Sequence, residues 1–471
     1  MSTLPRSLQK TLAFDQRNLE KTQLPIITVS ASYKEDLKGL YNLKENDTLP
    51  DVVFSRAHYS MALGVAISAW GDRLDPQKAW IVDPTNYVSH KDWSKIILTE
   101  NVGKILARFP LLKLIKDVVD KFGRQKLPIL ASITPPLAHL TEKVHRPILC
   151  FHIAAGNILA KQGKTVFQVI TDPHVREDYL ANAELPNMHF LVFDLATQTE
   201  FLNKAEKLGK IVAAERVIVT GPPIDPRIIA ARKQKSVWSP ARRLRLCLTT
   251  GGLGTNKDEL AAALNALLPA MQQQHLPLDL MVYASTHRDI QQMVRNLGRK
   301  FGVSVQSINP YDPAPFTIHD SLTPAKTPQA HNSPFTVPPL KLLFHPQIVD
   351  ANELLIRYAF PWADGFVTKP SGDMAYDAAA SGTFILTLKE WGEWEHNIRE
   401  RFEALNISRV ADVQHLDLQL AGLMQGMQTT TQHDAANRDE PWVSQAMRNA
   451  HKLDSLFLHG AERMIEEVKK K

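Results

Sequence analysis

Residues 244–260 read LRLCLTTGGLGTNKDEL: an apolar, β-prone run, a tight cluster of glycines, and then the opening of an amphipathic helix near Asn256. A strand that turns through glycine straight into a helix is the first half of a βα unit. The chain holds 21 glycines and 30 prolines in 471 residues, and Gly251-Gly252 is its single Gly-Gly pair. Glycines at such a turn let the backbone approach a ligand, and the NH groups of the turn and helix start favour a phosphate. A tight strand-to-helix turn has the same need for glycine without any ligand. The segment is neither a Walker A loop, which ends Gly-Lys-Ser/Thr, nor a complete GxGxxG fingerprint.

Outward from this unit, short apolar runs alternate with helical stretches on both sides. Downstream lie LDLMVYA (278–284), VSVQSI (303–308), KLLFHP (341–346), GFVTK (365–369) and TFILTL (383–388). Upstream lie VVF (52–54), WIV (80–82), ILASI (129–133), VFQVI (166–170), FLVF (190–193) and RVIVT (216–220). The alternation predicts α/β architecture with about six parallel strands in each half, that is, two Rossmann-like doubly wound domains facing a cleft, with ligands at the carboxyl ends of the strands. The expected boundaries are an N-terminal extension over 1–49, a first domain over 50–221, a linker over 222–243, a second domain over 244–413 and a C-terminal helical tail over 414–471. The linker is marked by Pro222, Pro223, Pro226 and Pro240 around a basic stretch. Residues 309–339 carry eight prolines in 31 positions, too many for strand or helix interiors, and read as an insertion between two strands.

Composition narrows the partners. The chain is 44% apolar and 22% charged, ordinary for a globular protein of two or three domains. Its two cysteines, Cys150 and Cys247, each sit in an apolar run and read as buried free thiols, which excludes a disulfide scaffold or a cysteine zinc site. The formal charge of +6 suits generic solubility, an anionic substrate or an anionic membrane face alike. No run approaches a spanning helix, and the N-terminus lacks the apolar core of a secretory signal. The chain therefore reads as cytoplasmic or peripheral to a membrane, with nucleic acid not among its expected partners. Residues 106–123, LARFPLLKLIKDVVDKFG, place Phe109, Leu112, Ile115 and Val119 on one helical face with Lys113, Lys116 and Lys121 among the polar positions. That pattern fits an interfacial helix or one docked on a sheet.

A second motif, ADGFVTKPSGDMAYDAAASGTFIL at 363–386, predicts a strand ending at Lys369, a Pro-Ser-Gly turn and an Ala-rich helix carrying Asp377 about one turn in. A carboxylate there can accept hydrogen bonds from vicinal ribose hydroxyls, or simply favour the helix start. GGLG and KPSGDMAYDAAASGTFIL together resemble the GT-B glycosyltransferases of the MurG and monogalactosyldiacylglycerol synthase type, which carry a Lys-Pro-Gly-Gly-(Leu)-Thr segment with an acid eight residues after the Lys. That offset gives Asp377 here, with Ser371 in place of the first Gly and Asp373-Met374 in place of Leu-Thr. GEWEHN at 392–397 keeps Gly392, Glu395 and Asn397 of the family's Gly-Gln-Glu-Glu-Gly-Asn sugar-contacting segment, while Glu393, Trp394 and His396 depart from it. In the first half, Ser55-Arg-Ala-His58 matches the family's His-ending turn without its glycines. ASITPPLAHL (131–140) is similar to its Ser-Thr-His-Pro turn, VITDPHVREDYL (169–180) to its Val-Thr-Asp segment, and VIVTGPPIDPRI (217–228) to its linker.

The resemblance implies a hexosyl transfer from a nucleotide-diphosphate donor, a UDP-sugar, to an acceptor hydroxyl with inversion, with a membrane lipid among the acceptors it suggests. Gly251, Gly252, Gly254, Thr255, Lys369, Ser371, Gly372 and Asp377 would hold the nucleotide and phosphates, and Glu395 and Asn397 the sugar. His58 is the expected general base, with Asp172 or His174 as substitutes. No cofactor beyond the nucleotide sugar and no metal is expected, since no DxD pair or His cluster has metal-ligand spacing. The isolated histidines at 139, 145, 152, 189, 319 and 331 read as ordinary surface or core residues. Two other readings stay open: a sugar-nucleotide epimerase of the same architecture, using Glu393 and Glu395, and a GT-B-like binding protein without catalysis.

Overall fold

A computed structural model describes residues 6–32, 52–53, 55–88, 92, 128–252, 254–308, 337–390, 392–425 and 440–471. The 309–339 insertion, save its last three residues, and the amphipathic 106–123 stretch lie outside them. The chain divides into two units: Met1–Pro226 with Ser455–Lys471, and Arg227–Asp454.

The first unit is built on a parallel sheet of β1 (Leu24–Ile27), β4 (Ala79–Val82), β5 (Ile148–Cys150), β6 (Val166–Val169), β7 (Met188–Val192) and β8 (Val217–Val219), in the order β4-β1-β5-β6-β7-β8. β1, β5, β6 and β7 are short runs buried along their length, as the interior of a sheet covered on both faces requires, while the edge strands β4 and β8 are half-buried in part. Gln168, the polar exception inside β6, donates to the carbonyls of Cys150 at 3.1 Å and Val169 at 2.9 Å.

Three sequence expectations fail here. The 1–49 stretch is no mere extension, because β1 lies inside the sheet, paired with β4 and β5. Pro25 disguises it: a proline removes a ladder donor and argues against an interior strand, but here it occupies only the second position. Val52–Val53 (β3) is not the first sheet strand; it pairs antiparallel with Ala31–Ser32 (β2) in a separate ribbon. ILASI is not a strand, since it lies within the helix Pro128–Thr141. The buried positions Ile133, Leu137 and Leu140 carry the helical spacing, which the apolar, β-branched composition and Pro135-Pro136 obscured.

The second unit carries β9 (Leu244–Thr249), β10 (Leu278–Tyr283), β11 (Val305–Ile308), β12 (Leu340–Leu343), β13 (Gly365–Thr368), β14 (Phe384–Thr387) and β15 (Ser408–Val410), all parallel, in the order β11-β12-β10-β9-β13-β14-β15. Much of the 222–243 stretch is packed into this unit. Arg227 pairs with Glu353 at 2.9 Å with both side chains buried. Arg242 and Arg245 clamp the fully buried Asp364 just before β13, with Nη–Oδ distances of 2.6 and 2.8 Å. Burial alone would raise the Asp364 carboxyl, but these two guanidinium groups outweigh it and hold it below its ordinary range. Lys235 donates to the Phe360 carbonyl at 2.6 Å, and burial lowers its amine to about 7, with Asp364 opposing and Arg245 and Arg242 assisting the fall.

The 414–471 tail is helical, and its helices are shared out: Leu416–Met424 and Trp442–Ala450 fall in the second unit, Ser455–Leu458 and Gly460–Lys469 in the first. The last helix crosses the segment after β8 where two glycines meet. A Cβ on Gly460 would lie 2.2 Å from the Pro222 carbonyl, and one on Gly221, whose φ is +86°, 1.8 Å from the Leu456 carbonyl.

Candidate functional site

In an open parallel sheet, a crevice forms where strand order reverses, because the connections leaving two adjacent strands depart to opposite sides. In the second unit β9 leads on to β10 on one side and β13 leads on to β14 on the other, so the reversal falls between β9 and β13. In the first unit it falls between β1 and β5 by the same reasoning.

At the second unit's reversal, Thr249 and Thr368 join the ends of β9 and β13 through their hydroxyls at 2.7 Å. Past β9 comes the glycine turn, and Asn256 braces it. Its Oδ1 accepts from the Gly251 amide at 3.2 Å and from the Thr250 hydroxyl at 3.2 Å, and its Nδ2 donates to the Thr249 carbonyl at 2.9 Å. From the far side, His287 Nε2 lies 3.1 Å from the Gly252 carbonyl, which can only accept, so Nε2 carries the proton. Gly254, at φ +62°, returns its amide to the Gly251 carbonyl at 2.9 Å. The amides of Gly251 and Gly254 are thus engaged within the turn. Thr255 follows in the same turn, just before the helix Lys257–Gln272.

Past β13, Lys369 lays its stem against Gly251, with 3.8 Å between the lysine Cδ and a Cβ built on that glycine. Its ammonium lies 3.2 Å from Glu395 Oε2, both side chains largely buried. Glu395 and Asn397 belong to the helix Glu393–Ala404 that follows β14. Ser371 is occupied with capping: its hydroxyl donates to Asp373 at 2.7 Å and accepts from the Met374 amide at 3.2 Å. Gly372 completes that turn, and Asp377 follows, buried, on the helix Met374–Ala380. Glu259 reaches the same neighbourhood, accepting from the Lys389 amide at 2.9 Å. Its carboxyl is held above the ordinary range by burial, with repulsion from Glu395 adding to the rise and Lys369 and Lys389 opposing it. Asn256, His287 and Glu259 were not singled out from sequence; nothing in a lone Asn, His or Glu marks it as a brace before the strands are aligned.

At the first unit's reversal, the chain leaving β1 is fixed by Asp83, whose Oδ2 accepts from the Ser30 amide at 2.7 Å and the Ala31 amide at 3.2 Å. Burial nevertheless pushes this carboxyl up to about 6. Ser55 caps the helix Arg56–Trp70 by accepting from the His58 amide at 3.3 Å. His58 Nδ1 lies 3.3 Å from the Val29 carbonyl, two residues past β1. A carbonyl can only accept, so Nδ1 is protonated and the lone pair of the neutral ring sits on Nε2.

Asp172 and His174 follow β6, one strand beyond the reversal, with the His174 amide on the Asp172 carbonyl at 2.7 Å and its Nδ1 3.5 Å from Glu200. The ring that meets His58 is His152, with centroids 5.2 Å apart and planes at 82°. Among the described residues no group of three His, Cys, Asp or Glu is placed to hold a metal ion, and no helix is long and apolar enough to cross a membrane.

No protein-family model matches the chain, and no curated protein matches its sequence. Solved structures do. The UDP-GlcNAc 2-epimerase of Neisseria meningitidis bound to UDP-GlcNAc is similar at TM-score 0.51 and 11% identity, covering 95% of this chain and 100% of its own. Os79 from O. sativa in complex with UDP gives 0.51 and 10%, over 94% and 99%. MnaA of S. aureus with UDP gives 0.50 and 10%, over 95% and 96%. At such identities the likeness is one of fold, and that fold is GT-B, common to glycosyltransferases and UDP-GlcNAc 2-epimerases.

Proposed function

We propose that the protein is a nucleotide-sugar enzyme that transfers a hexose from a UDP-sugar to an acceptor hydroxyl, in the manner of the MurG and monogalactosyldiacylglycerol synthase type. The observation that carries this reading is the Lys369–Glu395 pair standing against Gly251 at the β9–β13 reversal. A largely buried cation beside a glycine turn is suited to a diphosphate. In this reading Asp377 supplies a carboxylate for the ribose and Glu395 and Asn397 contact the sugar, with Gly251, Gly252, Gly254, Thr255, Lys369, Ser371 and Gly372 completing the donor site. In the transfer, the acceptor hydroxyl gives its proton to His58 Nε2 as its oxygen bonds to the anomeric carbon. The bond to the diphosphate breaks, its electron pair leaving on the phosphate oxygen, and the configuration inverts.

Several known enzymes sharing this architecture were solved with UDP or UDP-GlcNAc, which supports a uridine nucleotide as ligand. A lipid acceptor on the inner face of a membrane is the further step in the same reading. A second reading, epimerisation of the nucleotide sugar, is favoured by Glu259, a carboxyl that burial holds above its ordinary range beside Glu395. The test is a thermal-shift screen of the full chain against nucleotides and UDP-sugars, followed by product analysis. UDP and one UDP-sugar should stabilise the protein, and added alcohol should increase UDP release. Isomerised sugar nucleotide without acceptor would select the epimerase. Tight binding with neither product would leave a binding protein.

A further inference from the structure

Glu259 stands in the first turn of the helix Lys257–Gln272, a few residues past the glycine turn. Its Oε1 accepts from the Lys389 amide at 2.9 Å, and Lys389 follows β14. In the sheet β13 lies between β9 and β14, so this hydrogen bond spans the end of β13, where Lys369 sits. The charged groups that face the tethered carboxyl come one from each neighbouring element: Lys369 after β13, Glu395 on the helix Glu393–Ala404, and the ammonium of Lys389 itself. The Lys389 side chain is exposed, and of these groups it acts least on the carboxyl. On the same helix turn, Lys257 is engaged with Asp289 at 3.1 Å and Asp258 is exposed. Lys369 is therefore one ammonium facing two carboxylates.

With both carboxylates ionised, that group of three is net negative, and a diphosphate brought to Lys369 adds further negative charge. Like charges held at close range drive a proton onto the carboxylate whose ionised form is least supported. Glu259 is that carboxylate, because burial and Glu395 both raise it, whereas Glu395 has the Lys369 ammonium at 3.2 Å. We propose that Glu259 belongs to the donor site as a neutral acid: it takes a proton from solvent when an anionic nucleotide reaches Lys369, and gives its O–H to an oxygen of that anion. Oε1 keeps the Lys389 amide, Oε2 carries the proton, and no bond of the ligand breaks. The O–H adds a donor at a turn whose Gly251 and Gly254 amides are engaged internally. The inference rests on Lys369 as the cation of the diphosphate site, and it holds for transfer and epimerisation alike.

The test uses the full chain and UDP. Calorimetric titration at pH 7.5 in buffers of differing ionisation enthalpy reads the protons exchanged on binding, and the wild type should take up a fraction approaching one proton per UDP. Linkage to one proton changes affinity by up to about tenfold per pH unit, so wild-type affinity should fall from pH 7 to pH 8.5. Glu259→Gln keeps an acceptor for the Lys389 amide and puts an N–H in place of the acid's O–H. It should bind UDP without proton uptake, with affinity flat over that range and tighter than wild type at pH 8.5, at unchanged Tm. Uptake that persists in Glu259→Gln would assign the proton to the phosphate or to another side chain and overturn the inference. Wild-type binding without uptake, or weaker binding by Glu259→Gln at pH 8.5, would overturn it too, and each of these results leaves the nucleotide reading standing. A chain that binds no UDP at any of these pH values would overturn both.

Discussion

The two strand-order reversals are built on the same topology and have opposite chemistry. Between β9 and β13 the residues are ionic and braced: Lys369 on Glu395, Asp377 buried nearby, and a glycine turn held by Asn256 and His287. Between β1 and β5 stand two imidazoles in edge-to-face contact, the hydroxyls of Thr28 and Ser30 in contact, and the buried carboxyl of Asp83 on the Ser30 and Ala31 amides. A parallel sheet supplies a crevice at the carboxyl ends of its strands whatever its sequence, and the residues just past each strand end decide what the crevice recognises. Charge and glycine suit an anionic nucleotide, whereas an imidazole beside hydroxyl groups suits proton exchange with a neutral partner.

The largest effect should come from the first unit. His58→Ala should cut transfer by about 10²- to 10⁴-fold, the usual contribution of a general base, while UDP binding measured by calorimetry stays as in the wild type. A parallel loss of UDP affinity would mean that the two regions do not divide the substrates. On the ionic side, Asp377→Ala should weaken UDP-sugar binding by about 1 to 3 kcal/mol through loss of charge-assisted hydrogen bonds, with unchanged affinity showing that the ribose lies elsewhere. Asn256→Ala removes the brace from the Gly251 amide and the Thr249 carbonyl. It should cost about 1 to 2 kcal/mol in both folding stability and UDP affinity.

The smallest effect concerns the second unit's interior. Lys235 loses its proton at about 7 when folded, against 10.5 for an ordinary lysine. Between those pH values the unfolded chain holds a proton that the folded chain has released, so stability rises with pH through that window and is lowest below it. The second unit's Tm should climb by about 6 to 13 °C from pH 6.5 to 9.5, and Lys235→Met should flatten the profile.

How far all this can be read from the chain depends on whether a signal is local. The β9 turn, the β13 turn and the helix bearing Asp377 are legible because strand, turn and helix follow one another within about twenty residues, and periodicity and glycine report on just that range. β1 was hidden because Pro25 breaks the local rule for an interior strand, and its neighbours, β4 and β5, lie far along the chain. The helix Pro128–Thr141 was hidden because its composition is β-prone and its prolines are tolerated by packing. His58 was recognisable by its place after the first apolar run, but its tautomer was not, since that depends on the Val29 carbonyl, 29 residues away.

By itself the sequence determined two alternating βα series, the glycine turn at 251–254 and the acid eight residues after Lys369, because each is a pattern of neighbours in the chain. Only the tertiary structure decided which strands lie side by side, where strand order reverses, and that His152 stands against His58. The physical reason is that a parallel sheet joins strands separated by whole crossover segments, so the contacts that set a proton on one nitrogen or hold a glycine turn come from residues no local pattern connects.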